Sequence, residues 1–96
     1  MLFHVTHVHT PESCPADDPE RARDTIGKII AGGDAPGVKL VGAWADAPGH
    51  TFFLVVDTDS VDKLTDLFFP ALTMAHAEIS PVEDALALFK RRIADA

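Results

Sequence analysis

The chain has 96 residues, of which 47% are apolar, and this length and composition predict a single globular domain spanning residues 1–96. Its 15 acidic and 8 basic residues give a net charge of −7, which repels phosphate backbones and anionic lipid and argues against nucleic-acid or membrane partners. One cysteine cannot form an internal disulfide, and neither a signal peptide nor a membrane-spanning stretch is recognisable, so we expect a cytoplasmic protein.

The start of the chain predicts a strand followed by a helix. Residues 2–10 alternate in polarity, and the alternation ends at Pro11. This pattern is typical of a β-strand. After a loop, Asp18 followed by Pro19 is a helix start, because aspartate caps the first turn and proline fits its first position. We expect this helix to end at Gly32–Gly33.

The middle of the chain predicts a β-hairpin. Residues 38–45 form the second strand, and residues 50–57 form the third. Between them, residues 46–49 (Asp-Ala-Pro-Gly) are a turn signal. Strict alternation would place three apolar residues of the second strand on one face: Val38, Leu40 and Trp44.

The last third predicts a helix, a strand and a final helix. Asp59 or Ser60 caps the first of these helices, and residues 73–80 form the fourth strand. Residues 80–83 (Ser-Pro-Val-Glu) match a capping box, so we expect the final helix to start there. The predicted order is therefore β-α-β-β-α-β-α.

This order matches the ferredoxin-like βαββαβ plan with an extra C-terminal helix, an α+β fold with a four-stranded antiparallel sheet and two helices on one face. Residues 52–56 are apolar without interruption, which indicates burial on both faces of the third strand. Because two helices cover only one face, we expect the other face to meet a second copy. The architecture resembles the dimeric α+β-barrel superfamily, which implies a homodimer.

The segment from residue 7 to residue 15 (HVHTPESCP) is similar to the opening of a family of small bacterial proteins of unknown function in that superfamily. This resemblance implies the fold and leaves the activity open. Relatives in the superfamily include cofactor-independent monooxygenases, muconolactone-type isomerases and haem-degrading enzymes, whose active residues differ from one another. No residue role is therefore carried over from them.

Histidines dominate the chemistry of the sequence. Alternation places His7 and His9 on one face of the first strand, and His76 and Glu78 on one face of the fourth. If these neighbouring strands align suitably, the four side chains converge on a divalent transition metal, zinc or non-haem iron. The competing interpretation is that they are polar residues on a half-exposed sheet, each hydrogen-bonded locally, because the sequence does not fix the alignment of the strands.

Cys14 and Glu12 are the candidate catalytic residues. Cys14 lies in a loop shortly before a helix start, where a thiolate is favoured, and His7 or His9 activates it if the loop folds back. A buried, inert cysteine is the alternative. Glu12 is a candidate proton acceptor or additional ligand, or simply a solvated side chain.

Trp44 and His50 flank the predicted hairpin and are candidates for a ligand pocket between the sheet and the helices. The indole ring offers a flat apolar surface to a small molecule. Core packing of Trp44 and exposure of His50 are the alternatives.

Three hypotheses of function follow. The first is a homodimeric α+β-barrel protein that binds a divalent metal or a small ligand through histidines of the first and fourth strands. The second is a cofactor-free monooxygenase or isomerase that uses an apolar pocket and a histidine base. The third is a non-catalytic dimeric interaction module. The sequence leaves the substrate open in all three.

Overall fold

The structure is a computed structural model that describes residues 1–33 and 35–94; residues 34, 95 and 96 of the predicted domain lie outside the described residues. The described part contains β1 (Leu2–His9), α1 (19–32), β2 (Val38–Asp46), β3 (Thr51–Thr58), α2 (Val61–Phe68), β4 (Ala75–Val82) and α3 (Ala85–Phe89). Helix α1 has one wider turn at Arg23–Gly27, and another, Lys90–Ala94, continues α3. None of the described helices has the length and apolar character needed to cross a membrane.

The four strands form one antiparallel sheet in the order β2-β3-β1-β4. This is the ferredoxin-like arrangement, and the predicted α+β fold is confirmed. The helices α1 and α2 contribute to a single core with one face of the sheet, which buries Phe3, Val5, Ile29, Leu54, Val56, Leu64, Leu67 and Phe68. We call the other side of the sheet the open face, because within one chain no described helix packs on it.

Side-chain caps start the first two helices as the sequence predicts. The Asp18 side chain accepts a hydrogen bond of 3.1 Å from the Arg21 backbone N–H, and Pro19 follows it. Ser60, not Asp59, caps α2 by accepting from the Lys63 backbone N–H at 3.2 Å. Such caps satisfy backbone donors that otherwise lack partners in the first helical turn.

The predicted start of the last helix at residues 80–83 is wrong. Strand β4 continues to Val82, and the helix begins after Asp84, which accepts from the backbone N–H groups of Leu86 and Ala87 at 2.8 and 3.2 Å. Pro81 lies within the strand, where it is tolerated because β4 is an edge strand. Pairing with β1 along the whole strand outweighs the local capping signal.

The position predicted for Trp44 is also wrong. A β-bulge between Leu40 and Gly42 inserts an additional residue into β2, so the alternation of side chains changes phase along the strand. Trp44 therefore pairs with Phe53 on the open face and is 58% exposed. Gly42 lets the indole lie flat on the sheet, because a Cβ there would come within 2.5 Å of the ring.

Candidate metal centre

The two histidines near the end of β1 point into the protein. His7 and His9 lie on the helix-covered face, as the alternation predicts, and both are buried. His7 stacks on Phe68, with 6.2 Å between the ring centroids and 26° between the ring planes. His9 lies at the last position of the strand, next to the loop that follows it. Its ring is therefore the one that reaches the loop after β1 and the β2–β3 turn.

The predicted ligands from β4 do not join them. In the alignment of β1 with β4, Val8 pairs with His76 and Thr6 pairs with Glu78. Both β4 side chains therefore lie on the open face, opposite the buried histidines, and each is 77% exposed. The expected convergence of the four side chains is wrong by one residue of strand alignment, which exchanges the two faces of a strand.

A different set of side chains comes together at the end of β1. One nitrogen of His9, one nitrogen of His50 and Sγ of Cys14 all lie within 4.8 Å of one another. The three residues come from the strand end, the β2–β3 turn and the loop after β1. We call them the His9–Cys14–His50 cluster. Imidazole and thiolate are the side chains that zinc and similar ions prefer.

A short helical turn, Pro11–Ser13, brings Cys14 back to the strand end. Thr10 and Ser13 cap each other: the Ser13 N–H donates to Thr10 Oγ1 at 3.3 Å, and the Thr10 N–H donates to Ser13 Oγ at 3.0 Å. The Cys14 N–H then bonds to the Pro11 carbonyl at 3.4 Å. The loop thus folds back as the sequence hypothesis for Cys14 required, while Glu12 on the same turn is exposed.

The turn between β2 and β3 positions His50. The Asp46 side chain accepts from the Gly49 N–H at 3.1 Å, and His50 has φ of 51°, a left-handed conformation that non-glycine residues seldom adopt. The backbone N–H of His9 donates to the His50 carbonyl at 3.1 Å, and the two rings meet edge to face at 5.2 Å. A strained backbone at such a contact is typical of functional sites.

Several imidazole nitrogens in this region are buried and have no hydrogen-bond partner among the described residues. Neither ring nitrogen of His9, which is 6% exposed, has a partner among the described residues, and the same holds for Nδ1 of His50 and Nδ1 of His7. An unsatisfied buried polar group costs about 1–3 kcal/mol. The interpretation of His9 as a locally hydrogen-bonded structural residue therefore does not fit the structure.

Burial also sets the protonation of His7 and His9. It lowers the pKa of His9, and the neighbouring His50 lowers that pKa further. Burial, followed by the proximity of His9, lowers the pKa of His7. Both rings are therefore held neutral near pH 7, which is the form that coordinates metal ions.

A cavity of about 310 Å³ adjoins the cluster. Its apolar walls come from α1 and from the β2–β3 hairpin and include Ala22, Ile26, Ala45, Ala47 and Phe52. Of the two residues predicted to line a ligand pocket, His50 lines this cavity, whereas Trp44 lies on the open face. Glu12 does not line it.

Sequence reasoning singled out all three residues and considered a pairing of Cys14 with His7 or His9, but it did not place His50 beside them. Two local patterns in the sequence indicate that these segments approach one another. Thr10 and Ser13 have the spacing of a capping box, which reverses the chain before Cys14. The Asp46–Gly49 turn directs His50 back to the end of β1. Predicting this approach also requires the strand order, in which β3 lies next to β1.

Comparisons with known proteins agree with the fold. A family model described as a domain of unknown function (DUF3303) matches residues 1–91. A comparison with curated proteins gives no significant match. Among solved structures, the chain is similar to a crystal structure of muconolactone isomerase, with a TM-score of 0.55, 22% identity, and coverage of 88% of this chain and 90% of that chain. At this identity the similarity concerns the fold alone.

Proposed function

The chain belongs to the family of the domain of unknown function DUF3303, and we propose that it is a homodimeric protein binding one divalent transition metal ion per chain at the His9–Cys14–His50 cluster. The observation that carries the proposal is the His9 ring, which is buried with both nitrogens unpartnered among the described residues, beside a thiol and a second imidazole. A metal ion bound to one nitrogen would satisfy the lone pair that the protein leaves free.

The ligand types favour zinc over non-haem iron. Non-haem iron sites typically include a carboxylate, whereas two imidazoles and one thiolate suit zinc, which often keeps a fourth position open when the protein supplies three ligands. Ligand atoms around a tetrahedral zinc lie about 3.3–3.6 Å apart, by the bond lengths of such sites. From separations of up to 4.8 Å, the side chains need to close by roughly 1 Å.

The open face supports the homodimer. Trp44 and Phe53 form an exposed aromatic pair on adjacent strands, and Val8 and Val55 extend the apolar surface onto the centre of the sheet. Exposed aromatic and aliphatic side chains on one face of a sheet are characteristic of protein interfaces. The two metal centres of such a dimer lie on the helix side of each sheet, so a single chain contains a complete cluster.

Equilibrium dialysis of untagged protein against zinc tests the metal site. We expect the protein to bind one zinc ion per chain, and we expect His9→Ala to reduce its affinity at least 100-fold, because an unpartnered donor is lost from a three-ligand site. His76→Ala is the matched control, since this exposed histidine lies on the opposite face. Zinc binding that survives His9→Ala, or that disappears in His76→Ala, contradicts the proposal.

A second candidate function has one observation in its favour. The buried, neutral His9 faces an apolar cavity, which is the setting of a histidine base in a cofactor-free isomerase or monooxygenase. The same dialysis separates the candidates, because a cofactor-free enzyme takes up no zinc at micromolar concentration. A folded protein without bound metal and without ligand uptake in the cavity would leave the non-catalytic dimeric module.

A further inference from the structure

The cavity beside the cluster has one polar region. This region is the cluster, where the nitrogen atoms of His9 and His50 and the Cys14 sulfur lie within 4.8 Å of one another. Most of the remaining lining is alkyl or aromatic. Among the described residues, two other polar side chains line the cavity, and both are engaged by the turn: Asp46 accepts from the Gly49 N–H, and the Thr51 hydroxyl donates to the Gly49 carbonyl at 2.8 Å. A molecule in the cavity therefore meets hydrogen-bonding or coordinating groups chiefly at the cluster.

The charges around the cavity restrict the ligand further. A divalent ion held by two neutral imidazoles and a thiolate retains one positive charge, which a single anionic oxygen donor neutralises at the open position. No lysine or arginine is among the described residues that line the cavity, and the Asp46 carboxylate there accepts a hydrogen bond from the Gly49 N–H of the turn. A phosphate ester or a dicarboxylate would bring a second negative charge without a partner.

We propose that the cavity binds a small monoanion with an apolar tail, such as a monocarboxylate, with its head group on the metal and its tail against the walls from α1 and the hairpin. The inference rests on the proposed metal site. A volume of about 310 Å³ lies at the lower end of small-molecule sites, which limits the tail to a short chain or one ring.

Cobalt-loaded protein provides the test, because the visible absorption of bound Co²⁺ changes when a ligand enters its coordination shell. Acetate and hexanoate have the same carboxylate head group and differ only in the length of the apolar tail, so titration with both measures the contribution of the tail. We expect hexanoate to bind about 10- to 100-fold more tightly than acetate, since its additional methylene groups are buried against apolar walls. Phenyl phosphate is expected to bind more weakly than hexanoate.

A cavity-filling variant makes the test specific. Ala22→Phe places a ring in the cavity and is expected to remove the preference for hexanoate while cobalt and acetate binding persist. Ala31→Phe, at an exposed position of the same helix, is the control, and Ala45→Leu is a second filling variant should the first not fold. Equal affinity for the two acids in the cobalt protein overturns this inference alone. Failure of the protein to take up cobalt refutes two proposals: the metal centre, and the contact of the ligand's head group with the metal.

A separate observation concerns the C-terminal helix. Three large apolar side chains follow one stripe of α3 and its continuation, and all are exposed: Leu86, Phe89 and Ile93. The helix has no extensive contact with any described element except its own continuation. The radius of gyration is 15.3 Å, whereas a compact chain of this length has about 12.5 Å. The helix therefore projects from the body with its apolar stripe unpartnered.

The charge of this helix is complementary to that of the rest of the chain, which favours a second copy as its partner. Residues 85–96 contain three of the eight basic residues and one of the fifteen acidic residues, which gives +2, while the rest of the chain carries −9. A groove between α2 and β4 exposes Leu72 and Ile79 on this acidic body. We infer that α3 of one copy docks its stripe into the α2–β4 groove of a second copy. Within its own chain the helix has no extensive contact with α2 or β4; Asp84 caps its start, and Arg91 pairs with Glu83 at 3.1 Å.

Photo-crosslinking tests this exchange. Phe89 is replaced by benzoyl-phenylalanine in a mixture of unlabelled and ¹⁵N-labelled protein, and the same replacement at Arg91, on the opposite side of the helix, is the control. We expect crosslinked pairs of mixed mass with attachment to α2 or β4, and few from Arg91. Crosslinks confined to one chain, attached to other elements or equally frequent from both positions overturn the inference.

Discussion

Zinc at 100 times its dissociation constant is expected to raise the free energy of unfolding of the protein by about 2.7 kcal/mol, and Cys14→Ser is expected to abolish this gain. The gain arises because the cluster exists only in the folded chain, where its residues from three segments meet. A serine hydroxyl does not ionise near pH 7 and does not replace a thiolate ligand. Denaturant unfolding with zinc and with a chelator measures the difference.

Two further variants give this prediction its controls. His50→Gly is expected to lose the zinc-dependent gain but to keep the metal-free stability within about 1 kcal/mol, because glycine relieves the left-handed backbone at φ of 51°. His76→Ala is expected to keep the full zinc-dependent gain, since its side chain lies on the face of the sheet opposite the cluster. A full zinc-dependent gain in Cys14→Ser contradicts the assignment of the thiol as a ligand.

The double substitution Trp44→Asp and Phe53→Asp is expected to convert a dimer into a monomer. Two carboxylates would replace the aromatic pair at the proposed interface, and an unpaired buried charge costs about 3–5 kcal/mol. The dimer dissociation constant is therefore expected to rise at least 100-fold. Analytical ultracentrifugation over a range of concentrations measures it.

The matched control for the interface is Val61→Asp. This exposed apolar side chain lies on α2, away from the open face, so its replacement is expected to leave the dimer intact. Far-ultraviolet circular dichroism establishes that each variant is folded. An unsubstituted protein that is monomeric at micromolar concentration, or a dimer that tolerates both aspartates, would contradict the interface.

The parts of the fold that depend on local chemistry were predictable from the sequence. Asp18 with Pro19 starts α1 because the Asp18 side-chain oxygen accepts from a backbone N–H of the first turn and proline has the φ of a helix. Both effects act within a few residues. The alternation of β1 directs His7 and His9 to the core for a similarly local reason. The ferredoxin-like order then follows from the succession of elements.

The remainder depends on contacts between distant segments. The alignment of β1 with β4 placed His76 and Glu78 on the open face, and a period of two gives no means of choosing between neighbouring alignments. The bulge in β2 moved Trp44 for the same reason, since it appears only when two strands pair. The partnership of His9 with His50 required both the turn and the sheet order.

X-ray absorption at the zinc edge tests the proposed metal centre most directly. It reports the atoms around the ion in the untagged protein without any substitution. The proposed cluster predicts one sulfur at about 2.3 Å and two imidazole nitrogens at about 2.0–2.1 Å, with a lighter fourth ligand. A shell without sulfur, or one with a single imidazole, would contradict binding at His9, Cys14 and His50.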